Sequence, residues 1–168
     1  VFFKPGERGA DPFLALAYAL KKKLGATGQT EGQLAQALRA DPDEALSCFH
    51  PLLNGRSPAA ELILVVDQLE ELFTAVDPDG RDRFIELLKT IVNTPRVRLV
   101  ATMRVDFTAS VAELPDLAPF FRGRGLFLLV PPGPLGRAEG RGGPALIFSG
   151  KPGPPAGLFC IALQWIER

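Results

Sequence analysis

Leu62-Ile63-Leu64-Val65-Val66-Asp67-Gln68-Leu69-Glu70-Glu71 decides the fold, because five apolar residues in succession stop on three carboxylates. A buried strand of a parallel sheet reads this way. Asp67 then emerges at the carboxyl edge of the sheet, where open α/β folds bind their ligands. Carboxylates at such an edge suit holding Mg²⁺ beside a nucleotide and orienting the water that attacks it.

Val97-Arg98-Leu99-Val100-Ala101-Thr102-Met103 repeats the pattern and ends on Arg104, with Asp106 two residues on. Opposite charges thus reach one edge. Between the two runs, Phe84, Leu87, Leu88 and Ile91 recur at helical spacing, in a segment that opens near Asp79-Gly80 and closes at Asn93-Thr94-Pro95. A strand-helix-strand unit of this length predicts parallel strands and a right-handed crossover. Upstream, Val1 to Phe3 read as the end of a strand. Asp11 caps a helix with Pro12 in its first turn, with Phe13, Leu16, Ala17, Leu20 and Leu24 on one face and Lys21, Lys22 and Lys23 at its end. Thr30 with Gln33 forms a capping box for a helix carrying Leu34, Ala37 and Leu38. Asp41-Pro42 starts another through Ala45, Leu46 and Phe49, and Asn54-Gly55-Arg56-Ser57-Pro58 is a turn. Downstream, Asp106 to Val111 read as a short helix or loop, and Leu126 to Val130 as a further strand.

In family terms, VVDQLEELFT (65–74) followed by a helix and VRLVATMRVDF (97–107) resembles the Walker B and sensor strands of the novel STAND NTPases, first class. These are P-loop NTPases that act as signalling switches. Phe2-Phe3-Lys4-Pro5-Gly6, then Asp11-Pro12-Phe13-Leu14-Ala15-Leu16-Ala17, is similar to that family's basic-Pro-Gly turn and the helix after it. The three motifs stand in family order and cover residues 1 to about 130. The fold expected is therefore α/β: a partial P-loop NTPase three-layer fold with a mainly parallel sheet, from the second strand onward.

The phosphate-cradling pattern G-x-x-x-x-G-K-[ST] occurs nowhere in the sequence. At Ser149-Gly150-Lys151 the first glycine of that pattern falls on Ala145 and the magnesium-binding hydroxyl on Pro152, which also lacks an N–H. In the family this loop precedes the basic-Pro-Gly turn, so the sequence is expected to be a fragment that starts after it. A fragment without the loop is expected to bind ATP poorly and to hydrolyse almost none.

The 168 residues suit one domain, and the 46% hydrophobic content is normal for a globular core. A formal net charge of zero argues against a general nucleic-acid binder. The apolar runs are shorter than a membrane span, and the first residues of this sequence show no basic region followed by an apolar core and a small-residue cleavage site. Cys48 and Cys160 lack metal-ligand spacing, so a reducing cytoplasm is the expected location. About half of residues 131–157 are glycine or proline, a level that favours disorder over packing. Residues 131–168 therefore read as a Gly/Pro-rich irregular tail. Its Gly, Pro, Ala and Arg bias is what a GC-rich gene read in a shifted frame produces, which predicts non-native sequence there; an intact reading frame through the region would defeat that idea.

The resemblance implies specific roles. Asp67 takes the part of the Mg²⁺-associated carboxylate, commonly through water; the alternative is a turn former after a core strand. Glu70 is the first choice, and Glu71 the second, for the carboxylate that polarises the attacking water, against plain complementation of a helix N-terminus. Arg104 takes the part of the sensor of the terminal phosphate, against an ion pair with Asp106 or Asp67. Thr102, Asp106 and Gln68 are supporting residues, and Lys4-Pro5-Gly6 is a weaker signal. His50 is the sole histidine and has no triad around it.

The implied parent function is an ATP-hydrolysing molecular switch that uses Mg²⁺, is fused to WD-repeat or other effector modules, and forms a nucleotide-dependent oligomer. Two rivals remain: a non-catalytic scaffold on a degenerate NTPase fold, and a Mg²⁺-dependent phosphatase, which lacks its second nucleophilic Asp here.

Overall fold

The structure, a computed structural model, describes residues 1–25, 28–117, 126–129 and 159–163, the last two segments by backbone alone. Strand β1 (Phe2–Phe3) leads to helix α1 (Pro12–Leu24), α2 (Glu31–Ala40) and α3 (Glu44–Leu53). Strand β2 (Leu62–Val66), the single-turn α4 (Glu71–Thr74), α5 (Pro78–Val92) and β3 (Val97–Arg104) follow. A 3₁₀ turn (Val105–Phe107), α6 (Thr108–Ala112), β4 (Leu126–Leu129) and β5 (Phe159–Leu163) complete the described elements.

One sheet holds the strands in the order β1-β2-β3-β5-β4. β1, β2 and β3 run parallel, with Phe3 opposite Val66 and Val66 opposite Ala101. β5 is antiparallel to both β3 and β4, so β4 runs in the same direction as the first three strands. The sequence placed no strand at 159–163; apart from β5, the expectation for residues 131–168 lies outside the described residues.

Local chemistry explains the helices. Asp11 Oδ1 accepts from the N–H groups of Phe13 and Leu14 and Pro12 fills the first helical position, as expected for α1. The Thr30–Gln33 capping box opens α2. Asp77 Oδ1 accepts from Gly80 N–H at 2.9 Å, which starts α5 at Pro78. α3 begins at Glu44, later than the sequence suggested, because Asp41 serves as the C-cap of α2 and its carboxylate holds the N–H of Asp43. Cys48 rather than Leu46 and Ala35 rather than Ala37 are the buried residues on those helices.

Side chains alternate across the strands, and β3 shows this over its whole length, with Val97, Leu99, Ala101 and Met103 buried. Those residues share a face with Phe3, Leu64 and Val66, and α1, α3 and α5 pack on it, with α2 set against these three helices. Phe84 of α5 meets Phe3 and Phe13 edge-on, with ring centroids 6.1 and 5.1 Å apart, which ties β1, α1 and α5 together. On the other face Phe2 and Ile63 are 57% and 53% exposed. Among the described residues, helices cover β2 on one face only, whereas its apolar run suggests cover on both. The described residues supply the sheet and one helical layer.

Candidate functional site

Parallel pairing of β1, β2 and β3 brings Lys4, Asp67 and Thr102 to adjacent positions on one rim. The strand alternation that buries Phe3, Val66 and Ala101 turns these three side chains to the opposite face. Asp67 continues the ladder by donating its N–H to the Phe3 carbonyl at 2.9 Å. Its side chain is fully engaged: the Thr102 hydroxyl donates to Oδ1 at 2.5 Å, and Lys4 Nζ stands 3.4 Å from Oδ2.

After Asp67 the chain turns sharply. Gln68 adopts the left-handed backbone, with φ 58°, a conformation that disfavours a non-glycine residue. Two bonds to Thr102 hold it there: Gln68 N–H donates to Thr102 Oγ1 at 3.1 Å, and Leu69 N–H to the Thr102 carbonyl at 2.8 Å. One hydroxyl therefore serves both the carboxylate before the turn and the amide inside it.

Glu70 and Glu71 occupy the N-cap and first position of α4, and they face different surroundings. Glu70 is 8% exposed, the one charged residue buried among the described residues. Burial raises its pKa above the usual carboxylate value, and the nearby Glu71 charge adds to this. Its own N–H, the N–H of Arg104 and the Arg104 guanidinium pull the other way. The Arg104 N–H contact is 3.3 Å long. Glu71 instead accepts from the N–H of Gly6 at 2.6 Å, and a Cβ on residue 6 would sit 2.9 Å from the same oxygen. A side chain at residue 6 would therefore push the Glu71 carboxylate away from this approach.

Arg104 lies on the same rim, yet its side chain folds onto Asp106, with Nη2 to Oδ2 at 2.6 Å and Nε to Oδ1 at 3.1 Å. It also lies over the Phe107 ring. The pair is about half exposed on both sides, so it contributes little stability and leaves the guanidinium within reach of solvent.

The structure brings Asp67, Glu70 and Arg104 to one edge, as the sequence predicts, and joins Thr102 and Lys4 to them. Lys4 was legible only as part of a weak turn motif, because its contact with Asp67 follows from β1 lying beside β2. Among the described residues no group of three or more His, Cys, Asp or Glu is placed to hold a metal. Asp67 and Thr102 offer oxygen alone. That donor set fits Mg²⁺, which takes one or two protein oxygens and fills its shell with water and phosphate.

A mainly parallel sheet with helices packed on it defines an α/β core. The chain belongs to the Novel STAND NTPase 1 family, whose model matches residues 1–141. No curated protein and no solved structure matches it. At family level it is a nucleotide-hydrolysing NTPase of the signalling type. No helix among the described residues is long and apolar enough to cross a membrane.

Proposed function

We propose that the chain carries the Walker B and sensor half of an ATP-hydrolysing signalling switch. The observation that supports this reading is the convergence of Asp67, Thr102, Glu70 and Arg104 on one rim of the sheet. Asp67 and the Thr102 hydroxyl would hold Mg²⁺, which when bound neutralises charge on the phosphate oxygens. Glu70 is the base that accepts a proton from the attacking water, and a carboxyl whose pKa is raised by burial suits that task better than an exposed one. Glu71 is the second choice; its bond to Gly6 N–H gives it a separate task in fixing the turn. Arg104 senses the terminal phosphate by exchanging Asp106 for a phosphate oxygen, a like-for-like trade of one bidentate anion for another.

ATP as the nucleotide, a cytoplasmic location, fused effector or repeat domains and a nucleotide-dependent oligomer belong to the same proposal and rest on the family. The test uses the full-length protein. Asp67→Asn should weaken Mg²⁺-dependent nucleotide binding, Glu70→Gln should slow turnover by about 10²- to 10⁴-fold while sparing binding, and Arg104→Ala should erase the difference between triphosphate and diphosphate affinity. Unchanged behaviour in all three variants would remove the assignment.

A scaffold reading has one observation in its favour: Asp67 and Arg104 are both paired within the chain, so neither charge requires a ligand. Nucleotide affinity that does not respond to Mg²⁺ or to Asp67→Asn would favour it.

A further inference from the structure

We propose that Lys4 belongs to this site as the internal cation that occupies Asp67 until a divalent ion replaces it. The inference rests on the reading of Asp67 as the metal carboxylate. Both Asp67 oxygens are taken, one by the Thr102 hydroxyl at 2.5 Å and the other by the Lys4 ammonium at 3.4 Å. These two partners are not equally easy to displace. The hydroxyl bond is short and part-buried, and the same oxygen also accepts from Gln68 N–H, so moving it disturbs the turn. The ammonium contact is longer, its side chains are 37% and 29% exposed, and lysine ends a flexible four-carbon stem.

A divalent ion on Oδ2 and an ammonium on the same oxygen repel each other, so one excludes the other. The backbone around Lys4 stays fixed during the exchange. Phe3 carbonyl holds Asp67 N–H, Pro5 is buried, and Gly6 N–H is held by Glu71 at 2.6 Å. The displaced ammonium therefore swings on an anchored turn and stays at the rim, where an anionic ligand arriving with the metal can take it up. Lys4 in this view is a positioning residue: it keeps Asp67 oriented before a divalent ion binds and reports loading by leaving it.

Mn²⁺ titration of the full-length protein, followed by loss of the free-ion paramagnetic resonance signal, tests this. Lys4→Met should tighten Mn²⁺ binding by about three- to five-fold, the scale of a part-exposed ion pair. Lys4→Arg should bind as the wild type does, and Asp67→Asn should abolish binding with Lys4 or with Met at position 4. Acylation of the Lys4 amine, read by mass spectrometry, should speed up when Mn²⁺ is added. Unchanged or weaker Mn²⁺ binding in Lys4→Met, with binding still lost in Asp67→Asn, would overturn the role of Lys4 and leave the reading of Asp67 intact. Binding indifferent to Asp67→Asn, or none in any variant, would overturn both.

Discussion

Thr102→Val removes one oxygen and keeps nearly the same shape, which makes it the cleanest probe of the rim. That oxygen donates to Asp67 Oδ1 at 2.5 Å and accepts from Gln68 N–H at 3.1 Å. A hydrogen bond to a charged group contributes about 1.5–3 kcal/mol, and an amide left without its partner costs about 1–3 kcal/mol when buried. Both groups here are part-buried, so water recovers a share, and the expected loss of unfolding free energy is about 2 kcal/mol. Thr102→Ser keeps the oxygen and should lose less than about 1 kcal/mol. Urea denaturation reads the effect as a midpoint lowered by about 1 M with an unchanged slope. A double-mutant cycle with Asp67→Ala should show a coupling of at least about 1 kcal/mol. A loss below about 0.5 kcal/mol, or strict additivity with Asp67→Ala, would refute the claim that this hydroxyl ties the two strands together at the rim.

Two further outcomes are expected. Gln68→Gly should be neutral or stabilising by about 0.5 kcal/mol, because relief of a left-handed backbone of about 1–2 kcal/mol outweighs the entropy of glycine in the unfolded chain; thermal and urea unfolding measure it, and a clear loss would show that the Gln68 side chain holds the turn. The Glu70 carboxyl binds its proton more tightly in the native state than in the unfolded chain, so the native state carries more protons in the window from the ordinary value of 4.5 up to its raised pKa, and unfolding free energy should fall as pH rises through that window. Glu70→Gln should flatten that part of the pH profile, and an unchanged slope would contradict the burial argument.

The sequence carried the elements that repeat with a clear period. Phe84, Leu87, Leu88 and Ile91 on α5 fall where their spacing puts them. The apolar runs 62–66 and 97–103 are strands, although the alternation that buries Leu64 and Val66 and every second residue of β3 was not read from them. The caps at Asp11 and Thr30 were equally legible, since each satisfies backbone N–H groups only a few residues away. Contacts between strands were harder to read. Lys4 and Asp67 are far apart in the chain and meet only because β1 lies beside β2. Glu70 and Glu71 look interchangeable in one dimension, yet adjacent residues at a helix start point in different directions, one under the Arg104 backbone and the other at Gly6. Arg104 shows a third limit. Its position on the rim follows from the strand, whereas its side chain had a choice of anions and settled on the one two residues away.

The alternation of β2, which buries Leu64 and Val66 and exposes Ile63, has a consequence for how this family can vary in length. The turn at 54–56 lies on the surface, with Gly55 already in the left-handed region, so a residue gained or lost there leaves the strand register unchanged. A residue gained or lost inside Leu62–Val66 instead inverts everything downstream of it, driving a carboxylate into the packed interior and Val66 out into water. Length polymorphism should therefore be common before position 62 and absent from there to Asp67, whatever the identities of the apolar residues between.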